Sequence, residues 1–331
     1  MDTQDTSERL PPWLQAPWQA LVQRGRARRL PTGLLVHGAG GVGKGLLARS
    51  LVQTLLCQQA KGADPPCGVC NACRGFLGGV HPEVMSLEPE EAGKEILIAA
   101  ARDAIEFLGL SGSGELRCVL IQPADALNTN AANALLKTLE EPPAGAMLIL
   151  IADQPARLPA TIRSRCEMVE IPTPDAGEAG AWLRRFASAP EAADEAYAAA
   201  LGRPLLAREI LVDPQRMEQW QQDREALTTL LRAPGVTPMA SVMQRSLPES
   251  LIPRLQALLL AAQRLLVTEQ ADAFGRQFPR DLLEAFARRH GPRRLAELSS
   301  RAHVWQRQAA RQLNPQLRLE DIALSLLGRN S

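Results

Sequence analysis

The run Gly38-Ala39-Gly40-Gly41-Val42-Gly43-Lys44-Gly45 constrains the fold of this chain more than any other feature. Glycines at its first and sixth places let backbone N–H groups turn inward around phosphate oxygens. The lysine that follows supplies a positive charge for the terminal phosphates, and a loop of this kind joins a buried strand to a helix. The flanks agree: Gly33-Leu34-Leu35-Val36-His37 reads as a short buried strand, and Leu46 to Leu56 carries apolar residues at helical spacing. The position that should bring a Ser or Thr hydroxyl to Mg²⁺ is Gly45. Gly38, Gly41, Gly43 and Lys44 therefore form a degenerate P-loop in which ATP or ADP binding is expected to be weak or absent. The competing reading is a glycine-rich turn with no affinity for phosphate.

The second half of an ATP site is an apolar strand ending in Asp-Glu, the Asp on Mg²⁺ and the Glu on the attacking water. The candidate strand, Arg117-Cys118-Val119-Leu120-Ile121, runs instead into Gln122-Pro123-Ala124-Asp125. Gln122 is neutral, Pro123 has no functional group, and Asp125 lies beyond the strand tip, where it reads as a solvated or helix-capping acid. The strand itself buries Cys118 as a core residue.

Further along, Glu95 to Leu108 has amphipathic helical spacing, a Gly-Ser turn follows from Leu110 to Gly114, and Ala131 to Glu140 is a strong helix former stopped by Pro142-Pro143. Ala146 to Ala152 reads as a buried strand, and strands alternating with helices predict a parallel α/β sheet. From about Pro172 the strand signals vanish. Ala176 to Leu211 holds short helical patterns broken at Pro190 and Pro204, and Glu218 to Ser331 is almost continuously helix-compatible. Breaks are expected in that last stretch near Pro234-Gly235, Pro248, Pro279 and Gly291-Pro292.

The 331 residues carry 37 basic and 36 acidic side chains, a balance that excludes a strong global field for nucleic acid or membrane. Arginines between Arg276 and Arg311 offer a nucleic-acid face, but Asp281, Glu284 and Glu297 dilute them and favour a solvated helix exterior. The polar N-terminus, and the lack of any apolar run approaching a membrane span, give the expectation of a cytoplasmic protein with no membrane partner.

Four of the six cysteines cluster as Cys57, Cys67, Cys70 and Cys73, in the spacing C-x9-C-x2-C-x2-C. Pro65-Pro66 and Gly68 force turns that let the thiolates converge, and four soft ligands with no spare position describe a structural Zn²⁺. A redox dithiol is the alternative. Zinc knuckles also touch nucleic acid, yet residues 57 to 79 offer only Lys61, Arg74 and the aromatic Phe76, so support of a loop or of a partner surface is the better reading.

Three residue sets coincide: the P-loop, the run Ala134-Leu135-Leu136-Lys137-Thr138-Leu139-Glu140-Glu141-Pro142-Pro143, and the triplet Ser164-Arg165-Cys166 after Leu158-Pro159-Ala160-Thr161-Ile162. With the four cysteines, the sequence resembles the bacterial clamp-loader branch of the AAA+ family, closely over about residues 10 to 210 and only in architecture beyond. The resemblance implies an AAA+ α/β P-loop module with a zinc knuckle over 1–171, a small helical lid over 172–211 and an all-α oligomerisation collar over 212–331.

It further implies a subunit of a DNA-directed DNA polymerase (nucleotidyltransferase) holoenzyme. Its partners would be the gamma/tau motor subunits and the delta subunit of the loader and, through the complex, the sliding clamp and primed DNA. ATP-hydrolysing members keep the P-loop hydroxyl and the acidic strand tip. They also keep a polar Thr where this chain has Asp153, and a lid Arg where it has Leu205. Four such losses resemble the member that does not hydrolyse ATP. In that member the arginine of the Ser-Arg-Cys triplet, here Arg165, serves as an arginine finger in trans, a role suited to its planar, permanently charged fork. An active clamp-loader-type ATPase and a zinc-dependent DNA-binding module remain the alternatives.

Overall fold

The computed structural model describes residues 10–61, 64–91, 93–110, 116–232, 248–271 and 274–309, with Asp321 and Ser325. The expected turn after Leu110 and the break at Pro234-Gly235 lie outside the described residues. The chain divides into two compact units, Met1–Glu178 and Ala179–Ser331.

The first unit is built on a parallel five-stranded sheet in the order β2-β3-β4-β1-β5. Its strands are β1 (Gly33–His37), β2 (Val84–Leu87), β3 (Arg117–Ile121), β4 (Ala146–Ala152) and β5 (Glu167–Glu170). β4 is central, and all seven of its residues are buried, as a strand covered on both faces requires. On one face, Leu35, Val119, Leu148 and Leu150 pack with Ala101, Leu108, Leu135 and Leu139 from α4 (Ile98–Gly109) and α5 (Thr129–Glu140). Two further helices, α1 (Pro12–Arg26) and α2 (Lys44–Leu56), pack together, and α2 lies against β1 and β4. The three apolar strands and the helices at α2, α4 and α5 match the sequence expectation. β2, β5 and α1 had no such forecast.

Between α2 and β2 lies α3 (Asn71–Leu77), with the Cys70 side chain accepting from the Cys73 N–H at its N-cap. Between β4 and β5 is a single turn, α6 (Ala160–Arg163).

Helices alone make up the described part of the second unit. α7 (Ala176–Leu183) runs across the boundary, followed by α8 (Pro190–Ala199), α9 (Pro204–Val212) and α10 (Pro214–Arg232). α8 and α9 begin at the expected proline breaks, because proline suits a first helical turn and no later one. Then come α11 (Pro248–Thr268) and α12 (Arg280–Ala309), the latter kinked at Gly291, whose φ of 68° leaves the helical region. Trp220 is fully buried beside Phe274, and Asp223 is buried against the Arg254 guanidinium, which also lies 5.1 Å from the Trp220 ring centre.

One expectation needs correction here. Leu251–Thr268 is long and apolar enough to cross a membrane by length and composition. Its leucines 251, 255, 258, 259 and 265 are nevertheless buried, and the helix packs along α12, as a core helix does.

Candidate functional site

Sheet order brings three strand ends together. β3, β4 and β1 are neighbours, so the residues after their carboxyl ends, Gln122, Asp153 and the P-loop from Gly38, share the edge where open α/β sheets hold ligands. Gly38 has φ 143°, and a Cβ there would run into the Ile171 carbonyl oxygen, so only glycine fits. Gly43, at φ 103°, is the N-cap of α2.

Lys44 is the first residue of α2, and its side chain is only 4 % exposed. Its ammonium donates to the Ala39 carbonyl at 2.6 Å and lies 2.7 Å from Asp153 Oδ1, so two of its three donors are engaged by the chain. A Cβ on Gly45 would lie 2.5 Å from Gln122 Oε1 and 2.9 Å from Nε2. A side chain at 45 and the Gln122 amide thus compete for one space. From a further side, the Trp13 indole N–H donates to the Val42 carbonyl at 2.8 Å and pins the loop backbone.

Asp125 is half-buried and does not cap its own short turn. Its Oδ2 accepts from the Gln154 N–H at 3.2 Å, tying the loop after β3 to the loop after β4, while Oδ1 is buried. Leu205 lies in α9, in the second unit.

The four cysteines follow the other end of α2. Their sulfurs all lie within 4.8 Å of one another, and Cys67 and Cys73 are 3.9 Å apart. A tetrahedral ion with metal–sulfur bonds of about 2.3 Å needs sulfur separations of about 3.8 Å, so the donor set fits a metal ion. None of the four is in a disulfide. Backbone N–H groups of Cys67, Cys70 and Cys73 donate to the sulfurs of Cys57, Cys67 and Cys70. Burial raises the Cys57 thiol, but the N–H groups of Cys67, Gln59 and Ala60 outweigh it and bring it down to about 6. Cys70 is lowered in the same way, against burial, by the Cys73 and Gln58 N–H groups, whereas burial pushes Cys73 up to about 12. Phe76 is buried with the Arg49 guanidinium 5.3 Å from its ring centre, so the cysteine segment presents no free face of this ring. Cys118 is buried in β3, and burial raises its thiol.

Arg165 follows α6, and its neighbours in sequence go opposite ways. Cys166 is buried, its sulfur 3.1 Å from where a Cβ on Gly33 would stand, and its burial raises the thiol to about 11. Arg165 is exposed. Its Nε donates to Glu140 Oε1 at 2.7 Å and its Nη1 to the Thr161 carbonyl at 3.1 Å. The Leu-Glu-Glu-Pro-Pro run and the Ser-Arg-Cys triplet, far apart in sequence, therefore meet through an ion pair.

The Arg165 carbonyl oxygen is 3.2 Å from the Cβ position of Gly33, at the amino end of β1, whereas the P-loop leaves its carboxyl end. Five residues at about 3.3 Å each separate these points by about 16 Å, more than a guanidinium can reach. Arg165 cannot serve the P-loop of its own chain. The arginines of α12 are largely matched along the helix, with Arg280–Glu284 at 2.7 Å, Arg294–Glu297 at 3.1 Å and Arg293–Glu297 at 3.4 Å.

A family model described as "DNA polymerase III, delta subunit" matches residues 14–175. The chain is 42% identical over 224 residues to DNA polymerase III subunit delta' of Pseudomonas aeruginosa PAO1, covering 67% of each chain. It is 37% identical over 228 residues to the subunit of that name from Yersinia pestis, covering 67% of this chain and 65% of the relative, so the matched stretch spans about two thirds of either relative. A DNA polymerase III gamma subunit-related protein from Thermotoga maritima aligns with TM-score 0.51 and 17% identity over 93% of this chain and 99% of that one, a likeness of fold alone. Sheet, motifs and relatives agree, and the chain belongs to the family of DNA polymerase III delta-prime subunits.

Proposed function

We propose that the protein is an ATPase-inactive, stator-like subunit of a bacterial clamp loader. It joins gamma/tau motor subunits and a delta subunit in the cytoplasm and donates Arg165 to the ATP site of a neighbouring motor subunit. The ring so completed opens the sliding clamp and places it on primed DNA. The observation that carries this reading is the position of Arg165: exposed, and about 16 Å from its own P-loop along β1. A guanidinium there has a phosphate to stabilise only if another subunit brings one.

Inactivity is supported at the opposite end of the strand. Gln122 and Pro123 replace the groups that hold Mg²⁺ and orient water, Gly45 lacks the hydroxyl, and Lys44 is paired with Asp153. A functional division at about residues 172 and 212, into AAA+ module, lid and collar, accompanies this reading. The long helices from Pro214 onward carry none of the site residues, which suits a role in ring assembly. Zinc on Cys57, Cys67, Cys70 and Cys73 acts structurally by tying the end of α2 to α3. DNA binding through the knuckle is the weaker reading, because Phe76 is buried.

Reconstitution tests the proposal. The purified chain alone should turn over no ATP, and a fragment ending near Val212 should fail to join motor subunits. The full chain should raise clamp- and DNA-stimulated ATPase of the mixture, and Arg165→Ala should remove that rise without blocking assembly. Steady turnover by the chain alone, lost in Lys44→Ala, would contradict inactivity.

A further inference from the structure

The retained P-loop is the motif that the proposed function leaves unexplained, and its explanation rests on the inactive reading above. Its lysine and three glycines are intact, its backbone turns as a phosphate cradle turns, and α2 places an N-terminus behind it. What departs from a nucleotide site is the company that the loop keeps.

We propose that Asp153 and Gln122 are the residues that deny this loop to nucleotide. The Asp153 carboxylate takes the place of a phosphate oxygen on Lys44, and the Gln122 amide takes the space that a side chain at position 45 would need. β4 lies beside β1 with Ala152 opposite His37, so the residue after Ala152 is delivered beside the loop. There Asp153 Oδ1 stands 2.7 Å from the lysine ammonium, which also donates to Ala39 within the loop. ADP must therefore displace a carboxylate from Lys44 and then lie against the negative charge it has displaced. Asp153 is 55 % exposed and can swing into water, so its effect is moderate rather than absolute. β3, the next strand over, brings Gln122 to within 2.5 Å of the Cβ position of Gly45. The two substitutions are one device: with Gln122 in place, glycine at 45 leaves its amide undisturbed. The loop persists as an internal ion pair that holds the first turn of α2, not as a ligand site.

The test is calorimetric titration of the full-length chain with ADP alone and with ATP plus Mg²⁺. Wild type is compared with Asp153→Thr, the isosteric Asp153→Asn, Asp153→Thr/Gln122→Ala and Asp153→Thr/Lys44→Ala, each checked for folding by thermal melt and metal content. Asp153→Thr and Asp153→Asn should gain affinity for ADP by about tenfold or more over wild type, the step expected from removing one facing charge. Adding Lys44→Ala should abolish the gain, and ADP should raise the melting temperature of Asp153→Thr, Asp153→Asn and Asp153→Thr/Gln122→Ala but not that of wild type or Asp153→Thr/Lys44→Ala. Wild type binding ADP as tightly as folded Asp153→Asn overturns the inference while leaving inactivity standing. So does a lack of binding by folded Asp153→Asn and Asp153→Thr/Gln122→Ala together. Wild-type ATP turnover instead overturns the underlying inactive reading.

Discussion

Helix α2 carries a motif-bearing site at each end. Lys44 is its first residue and Cys57 follows its last, Leu56, so the phosphate loop and the cysteine cluster sit about 20 Å apart on one rigid element. Their states differ. At the cysteine end, four sulfurs lie within 4.8 Å of one another, and backbone N–H groups donate to those of Cys57, Cys67 and Cys70. At the loop end, the lysine is bonded to a carbonyl and a carboxylate of the chain itself, and an amide crowds Gly45. A motif reports the backbone path that its residues require. Which groups fill the cradle reports whether that path still serves a ligand.

Four substitutions would break or sharpen this contrast. Cys70→Ser, or chelation of the proposed zinc, should have the largest effect. Structural zinc sites in small peptides are worth about 10–16 kcal/mol in apparent binding energy, and its loss should release residues 57 to 79. Hydrogen exchange should show that segment opening while β1, β4 and the loop keep their protection; equal loosening at both ends of α2 would mean that the helix does not separate the two sites.

Gly45→Ser comes next, with a cost of about 1 kcal/mol, because the new Cβ displaces the Gln122 amide and that amide is the far end of a flexible side chain. In a Gln122→Ala background the same change should be nearly neutral, and urea unfolding of the four proteins gives the coupling directly. Additive effects would show that the two side chains do not compete. Lys44→Ala should follow at about 1 kcal/mol, since the partner carboxylate is half in water, with metal content unchanged. Glu140→Gln should be the smallest. It weakens one charge-assisted bond to Arg165 but leaves the Thr161 carbonyl in place, so ring ATPase should fall less than in Arg165→Ala.

Much of this organisation was legible from the chain. β1, β3 and β4 announce themselves because strands covered on both faces carry unbroken apolar runs, here residues 34–36, 118–121 and 146–152, and the prolines at 190, 204 and 248 mark helix starts correctly. β2 and β5 escaped because each is a sheet edge of four residues, and Glu167-Met168-Val169-Glu170 keeps an edge soluble while hiding its strand character. α1 was obscured by Pro12 and Pro17, although Trp13, Leu14, Trp18, Leu21 and Val22 give it a buried face.

At the site, sequence named the residues but not their pairings. Asp153 reads as the loss of a threonine, and only the β1–β4 register turns it into a counter-ion for Lys44. Glu140 and Arg165 are 25 residues apart and meet only because α5 packs on α6. Contacts of that separation leave no local pattern to read.

The most direct test of the central claim is the clamp- and primed-DNA-stimulated ATPase of a ring reconstituted with wild type, Arg165→Ala or Arg165→Lys. Each ring should first be shown intact by its hydrodynamic size and carry equal metal. Arginine fingers are worth about 10³ to 10⁵ in rate at a single site, so hydrolysis at the adjoining motor subunit should collapse in Arg165→Ala. Turnover of the whole ring should fall less, and Arg165→Lys should rescue poorly because an ammonium lacks the planar fork. Unchanged ATPase and clamp loading in an intact Arg165→Ala ring would contradict the account and reduce Arg165 to a partner of Glu140.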